Sequence, residues 1–169
     1  MKRIRAIYAL TGGNHRLLAM LSCFLNYEGL DELVQPFIQL VDHELTPYYQ
    51  QRLDRLSAQQ NKILGVIAQQ EGAVNVSVIA DRTFLDSRTV SRQLYDMRYA
   101  AFVRRNERGR ESYYELNEPL LRIVLDIKQS RSGPLPLIVN LLRNWYESGE
   151  LRQLEAIAPE YAKEYYRAA

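Results

Sequence analysis

The sequence has a single cysteine, Cys23, so no internal disulfide can form. Its place in an apolar run reads as a buried thiol in a reducing compartment. No apolar run approaches the roughly 20 residues that a membrane span requires. The opening "MKRIRAIYALTGG" turns polar too soon for a secretory leader. A cytoplasmic location with no membrane partner is therefore expected. Only two histidines occur, His15 and His43, and neither has metal-ligand spacing to a second donor. The acids around His43, Asp42 and Glu44, read as a charged helix face. No Ser–His pattern or activated cysteine is present, and G-x-x-x-x-G-K-[ST] is absent, so the chain has no phosphate cradle of its own. No catalytic role, metal or cofactor is expected of it. The net charge is only +2 over 169 residues, so any basic feature must be local.

What is there is mostly helical patterning. Gly12 and Gly13 stop a first helix, and Asn14 caps a second, "HRLLAMLSCFLNY", apolar on most sides. Asp31 opens a third that carries Leu33, Val34, Phe37, Ile38 and Val41, with Pro36 in its first turn or so. Pro47 forces a break near "ELTPYYQ", and a fourth helix runs through Leu53 and Leu56. At Ser57 the signals restart. "SAQQ" is a capping box, followed by the apolar stripe Ile63, Leu64, Ile67 and Ala68. A boundary between small domains falls near residues 50 to 56.

The next stretch has the order of a helix-turn-helix. Asn75 or Ser77 caps a short helix with Val78, Ile79 and Ala80, a turn follows at "FLD", and Asp86 caps a longer helix. There Val90, Leu94, Met97 and Ala101 recur at helical spacing on one face. Ser87, Arg88, Thr89, Ser91, Arg92 and Tyr95 occupy the other. After Phe102 the period changes: "FVRRN" and "SYYEL" flank "ERGR", a hairpin turned at Gly109. The expected fold is mainly α, a winged helix-turn-helix with one β-hairpin wing over residues 53–117. A small lid-like helical bundle (1–52) precedes it, and a helical extension (118–169) follows. In the extension Pro119 starts a helix, "SRSGP" links, and "PLPLIVNLLRNWY" is apolar nearly all round. That last helix, with Trp145, reads as core; its other use would be an interface for a homodimer or a further C-terminal domain. The tail from Gly149 forms one or two helices.

Between Arg82 and Ser112 there are eight arginines, no lysine and four acids. The local excess of four positive charges leaves the rest of the chain net negative. Double-stranded DNA is the partner such a segment suggests. A helix fits the major groove and arginine pairs bidentately with guanine. Arg88, Thr89 and Arg92 would face the groove, with Ser87, Ser91 and Tyr95 beside them. Arg104, Arg105, Arg108 and Arg110 would bring the hairpin to the backbone or minor groove. The plainer reading pairs these arginines with Asp86, Asp96, Glu107 and Glu111 on a solvated surface. Tyr95 and Tyr99 could stack or bond phosphate, but packing beneath the wing is favoured. A winged helix can also dock on protein, which remains the competing class.

The motif "LTGGNHRLLAML" resembles the lid segment of AAA+ or STAND-type ATPases, whose lid is followed by a winged helix. The resemblance runs over about residues 5 to 147 and lies in the order of weak motifs, on through "IADRTFLDSRTVSRQLYDM", "YYELNEPLLR" and "KQSRSGPLPLIVNLLRNWY". It implies that the chain is the C-terminal regulatory or output part of a nucleotide-dependent ATPase. It also implies that Arg16 would reach nucleotide phosphates, that ATP would bind only in a full-length parent, and that an ATPase core is a partner. Two positions depart from the pattern: His15 stands where the family often has proline, and Ala100-Ala101-Phe102 stands where winged helices usually turn on glycine.

Overall fold

The computed structural model describes residues 2–23, 30–70, 72–109, 111–129, 139, 142–143, 146–158 and 160–169. They form two compact units, Tyr48–Leu125 and a second made of Met1–Pro47 with Asp126–Ala169.

The Tyr48–Leu125 unit is a winged helix. It opens within a helix, α4 (Thr46–Leu53). The expected capping box then forms: the Ser57 hydroxyl accepts from the Gln60 N–H at 3.2 Å, and Gln60 Oε1 accepts from the Ser57 N–H at 2.9 Å. It starts α5 (Ala58–Ala68), which buries Ile63, Leu64, Ile67 and Ala68 as its apolar stripe dictates. A two-residue strand, β1 (Val74–Asn75), leads into α6 (Val76–Thr83), capped by Asn75. The longer helix α7 (Ser87–Tyr99) follows. The hairpin strands β2 (Val103–Arg108) and β3 (Glu111–Leu116) pair antiparallel, with Val103 opposite Leu116 and Arg108 opposite Glu111. Gly109 turns the hairpin at a φ of +66°. β1 adds to β3, giving the order β1-β3-β2. Helix α8 (Leu120–Gln129) starts just after Pro119. Ile63, Ile67, Ile79, Val90, Leu94, Met97, Leu120 and Val124 form the core beneath.

In the other unit, α1 (Lys2–Thr11) stops at Gly12 and Gly13, whose φ values are +59° and +80°. Asn14 Oδ1 accepts from the N–H groups of Arg16 and Leu17 and opens α2 (His15–Ser22). Helix α3 (Leu30–Leu40) follows, and the C-terminal part ends in α9 (Ser148–Ile157) and α10 (Glu160–Ala168). The linker "SRSGP", Trp145 and most of the apolar segment from Pro134 to Tyr146 lie outside the described residues.

Several expectations are corrected. Cys23 is exposed, not buried. Leu17 and Leu21 supply the buried stripe of α2, and a residue two beyond Leu21 turns to the opposite side. Pro36 lies inside α3 rather than in its first turn. Pro47 causes no break: the helix runs on from α3 through Val41–Leu45 into α4. Proline removes a donor and crowds the carbonyl four residues back. Here Val41–Leu45 wind as a π-helix, with the Thr46 N–H bonded to the Val41 carbonyl, and the widened turn makes room for the ring. Ala101 lies past the end of α7 and is exposed, so it is not on the buried face with Val90, Leu94 and Met97. The strand β1 was not expected from the sequence at all.

Candidate nucleic-acid interface

The outward face of α7 is built from its cap. Asp86 has extended backbone; its Oδ1 accepts from the Thr89 N–H at 2.9 Å and its Oδ2 from the Thr89 hydroxyl at 2.6 Å. Those bonds, the hydroxyl one first, hold the Asp86 carboxyl below its ordinary range. The cap sets the register of the helix. It also occupies the Thr89 hydroxyl proton, so that side chain serves the helix start as much as any groove. Ser87, Arg88, Ser91 and Arg92 are exposed on the first turns. Arg88 and Arg92 make no ion pair among the described residues, and Arg88 is one turn from Arg92.

Further along the same stripe stand Tyr95 and Tyr99, 56% and 82% exposed. They do not pack beneath the wing. Their rings lie 5.9 Å apart, and the Arg98 guanidinium lies 5.6 Å from the Tyr95 ring. Phe84, in the turn between α6 and α7, is 90% exposed with a φ of +54°. Lys62 reaches over its ring at 5.5 Å.

The wing carries arginine in a different state. Arg104 Nε bonds Glu115 Oε1 at 2.9 Å, and Asn106 donates to that same oxygen. Arg105 bonds the Ser112 hydroxyl at 2.9 Å and pairs with Glu107 at 3.0 Å. The pairing of Glu107 with a wing arginine was foreseen; Glu115 as the carboxylate on Arg104 was not. Arg108 ends β2, and its side chain, like all of Arg110, lies outside the described residues. The arginines thus fall into two sets, Arg88 and Arg92 on α7 without an ion pair among the described residues and Arg104 and Arg105 on the hairpin held by carboxylates. A groove of about 410 Å³ lies where the end of α7 meets the hairpin, lined by Arg98, Val103, Arg104, Arg105, Glu107 and Asn117 among others.

The residue that sequence reasoning missed is Arg52. It is largely buried and pairs with Glu118 at 2.8 Å. It also donates to the Tyr48 hydroxyl at 3.1 Å and to the carbonyls of Ala100 and Ala101 at 3.3 and 3.5 Å. Its guanidinium lies 4.7 Å from the Phe102 ring. Nothing local signals this role, because Arg52 and Glu118 are 66 residues apart. Nearby, burial first and the Glu118 charge second push the Tyr49 hydroxyl far above the ordinary tyrosine range.

Arg16 sits exposed in the first turn of α2. Among the described residues no group of three or more His, Cys, Asp or Glu is placed to hold a metal ion, and no helix is long and apolar enough to cross a membrane.

No protein-family model and no curated protein matches the chain. Among solved structures it is similar to the crystal structure of MepR, a transcription regulator of the Staphylococcus aureus multidrug efflux pump MepA. The identity there is 19%, with 71% of this chain and 89% of that chain covered and a TM-score of 0.39. It is also similar to the MarR family transcriptional regulator SPO1453 from Silicibacter pomeroyi DSS-3. That match has 15% identity, covers 78% of this chain and 98% of that chain, and has a TM-score of 0.40.

Proposed function

We propose that this chain is a DNA-binding winged-helix module, holding double-stranded DNA with α7 in the major groove and the hairpin against the backbone. The observation that carries the reading is the exposure of Arg88 and Arg92 on the second helix of a helix-turn-helix, with no ion pair among the described residues. A guanidinium with no internal ion pair can bond a base edge or phosphate without first breaking one. Ser87 and Ser91 flank it as phosphate donors, and Thr89, its hydroxyl proton held by Asp86, offers only an acceptor, to a base amino group. Tyr95 extends the contact, and Arg104, Arg105, Arg108 and Arg110 are the wing's share. Titration of a fluorescent random-sequence duplex across a range of NaCl tests the reading. Arg88→Ala with Arg92→Ala should weaken binding by about tenfold or more. Unchanged affinity would remove α7 from the interface.

A second reading is a docking module for protein, favoured by the exposed rings of Phe84, Tyr95 and Tyr99. Arg88→Ala with Arg92→Ala would leave that function largely intact, while Tyr99→Ala would impair it. The finer proposal, that the module is the regulatory end of a nucleotide-driven ATPase with Arg16 reaching the nucleotide, is supported by the motif order alone. Co-purification with an ATPase core in the absence of DNA tests it. A homodimer is a further proposal, tested by the stoichiometry of the DNA complex.

A further inference from the structure

Arg52 lies off the outward arginine face, yet it touches the elements that orient that face. We infer that Arg52 is a positioning residue that fixes the wing against α7 and so sets the wing's contacts with DNA phosphates. The inference rests on the DNA-binding reading above.

The geometry runs through both ends of the hairpin. At the near end, Arg52 donates to the carbonyls of Ala100 and Ala101, the cap of α7 and the first residue of the turn into β2. A cation there meets the negative end of the helix dipole. Ala101 has a φ of +57°, a conformation that alanine holds only when its surroundings enforce it. At the far end, Arg52 is bonded to Glu118, two residues beyond β3. The Asn117 N–H bonds the Phe102 carbonyl at 3.0 Å and closes the hairpin base between those two anchors. The Phe102 ring beneath the guanidinium completes the seat. A planar fork with five donors can serve a carboxylate, a hydroxyl and two carbonyls at once; an ammonium cannot hold that arrangement. The wing's base is therefore tied to α4 by one side chain.

The test uses the full chain and a labelled random-sequence duplex. Arg52→Met with Glu118→Met removes both charges of the pair together and roughly preserves volume. Unfolding should stay cooperative. Affinity should fall only a few-fold, because each wing contact replaces an internal ion pair, and the log–log salt slope should shrink by about two, the loss of two wing phosphates. Amide exchange should quicken across residues 103–116 while α7 keeps its protection. Arg52→Lys should lie between wild type and the double variant on all three measures. It also carries the test alone if the double variant does not fold. Wild-type slope and hairpin exchange in a folded variant would overturn the inference. So would protection lost equally across α5, α7 and the hairpin, since that marks general destabilisation. Arg88→Ala with Arg92→Ala in the same assay separates the two ideas. If that pair is inert, the DNA-binding reading falls. If it weakens binding while the Arg52 variants do not, only the positioning role falls.

Discussion

Two residues hold chemistry that their neighbours impose. Ala101 occupies the left-handed region, where winged helices more often place glycine, and it is exposed, so no packing is lost with its methyl. Ala101→Gly removes the steric cost of that conformation and adds only the entropy of a freer unfolded chain. The expected net gain is about 0.5–1 kcal/mol in urea-unfolding free energy. Tyr49 is the second case. Its raised ionisation, caused first by burial and then by Glu118, means that the folded chain keeps the phenolic proton after the unfolded chain has lost its own. The stability tied to it is fully present below the unfolded value of about 10 and declines above it, by about 1.4 kcal/mol per pH unit. Tyr49→Phe deletes this buried hydroxyl beside Glu118. It should flatten this alkaline loss relative to wild type, as denaturation at pH 9 and pH 11 would show.

At the level of elements, the wing is a set of arginines under restraint. Glu115 accepts from both Arg104 and Asn106. Glu115→Gln keeps the shape, removes a charge that repels phosphate and releases Arg104. It should tighten binding to random duplex severalfold at a little-changed log–log salt slope, because Arg104 meets phosphate in both forms. Unchanged affinity would mean that Arg104 never meets the backbone. Such restraint explains what could be read from the sequence. Caps and periods were legible because they are local: Asn14, Ser57 and Asp86 each satisfy N–H groups two or three residues away. Val90, Leu94 and Met97 announced their buried face by spacing alone. The strand β1 was hidden because two residues give no period, and its existence depends on β3 lying alongside it. The continuous helix through Pro47 was hidden because a π turn absorbs what proline forbids. Arg52 was hidden for a third reason: a buried ion pair across 66 residues exists only after the fold has formed. Tyr95 and Tyr99 were misread because aromatic residues are usually buried, and these two are held in solvent by the very periodicity that buries Leu94 and Met97.

For the molecule as a whole, a net charge of +2 cannot draw the chain to a polyanion from a distance. Any salt dependence must come from contacts made on docking. The exposed, described arginines of α7 are Arg88, Arg92 and Arg98. If only they engage the duplex, counterion release sets a log–log slope of about −3 for one copy on one site. If the hairpin also engages, Arg104 and Arg105 must exchange Glu115 and Glu107 for phosphate, and the slope moves towards about −4 to −5. Two copies on one site would double either figure, so binding stoichiometry has to be measured with the slope. The hairpin's contribution has its own signature. Exchanging an internal carboxylate for a phosphate trades one ion pair for another, so it adds salt dependence while adding little affinity. A duplex titration in which Glu107→Gln with Glu115→Gln raises affinity at unchanged slope would show the wing docking in both forms, held back in wild type by its own carboxylates. A slope that steepens together with the affinity would show a wing that wild-type protein keeps off the DNA.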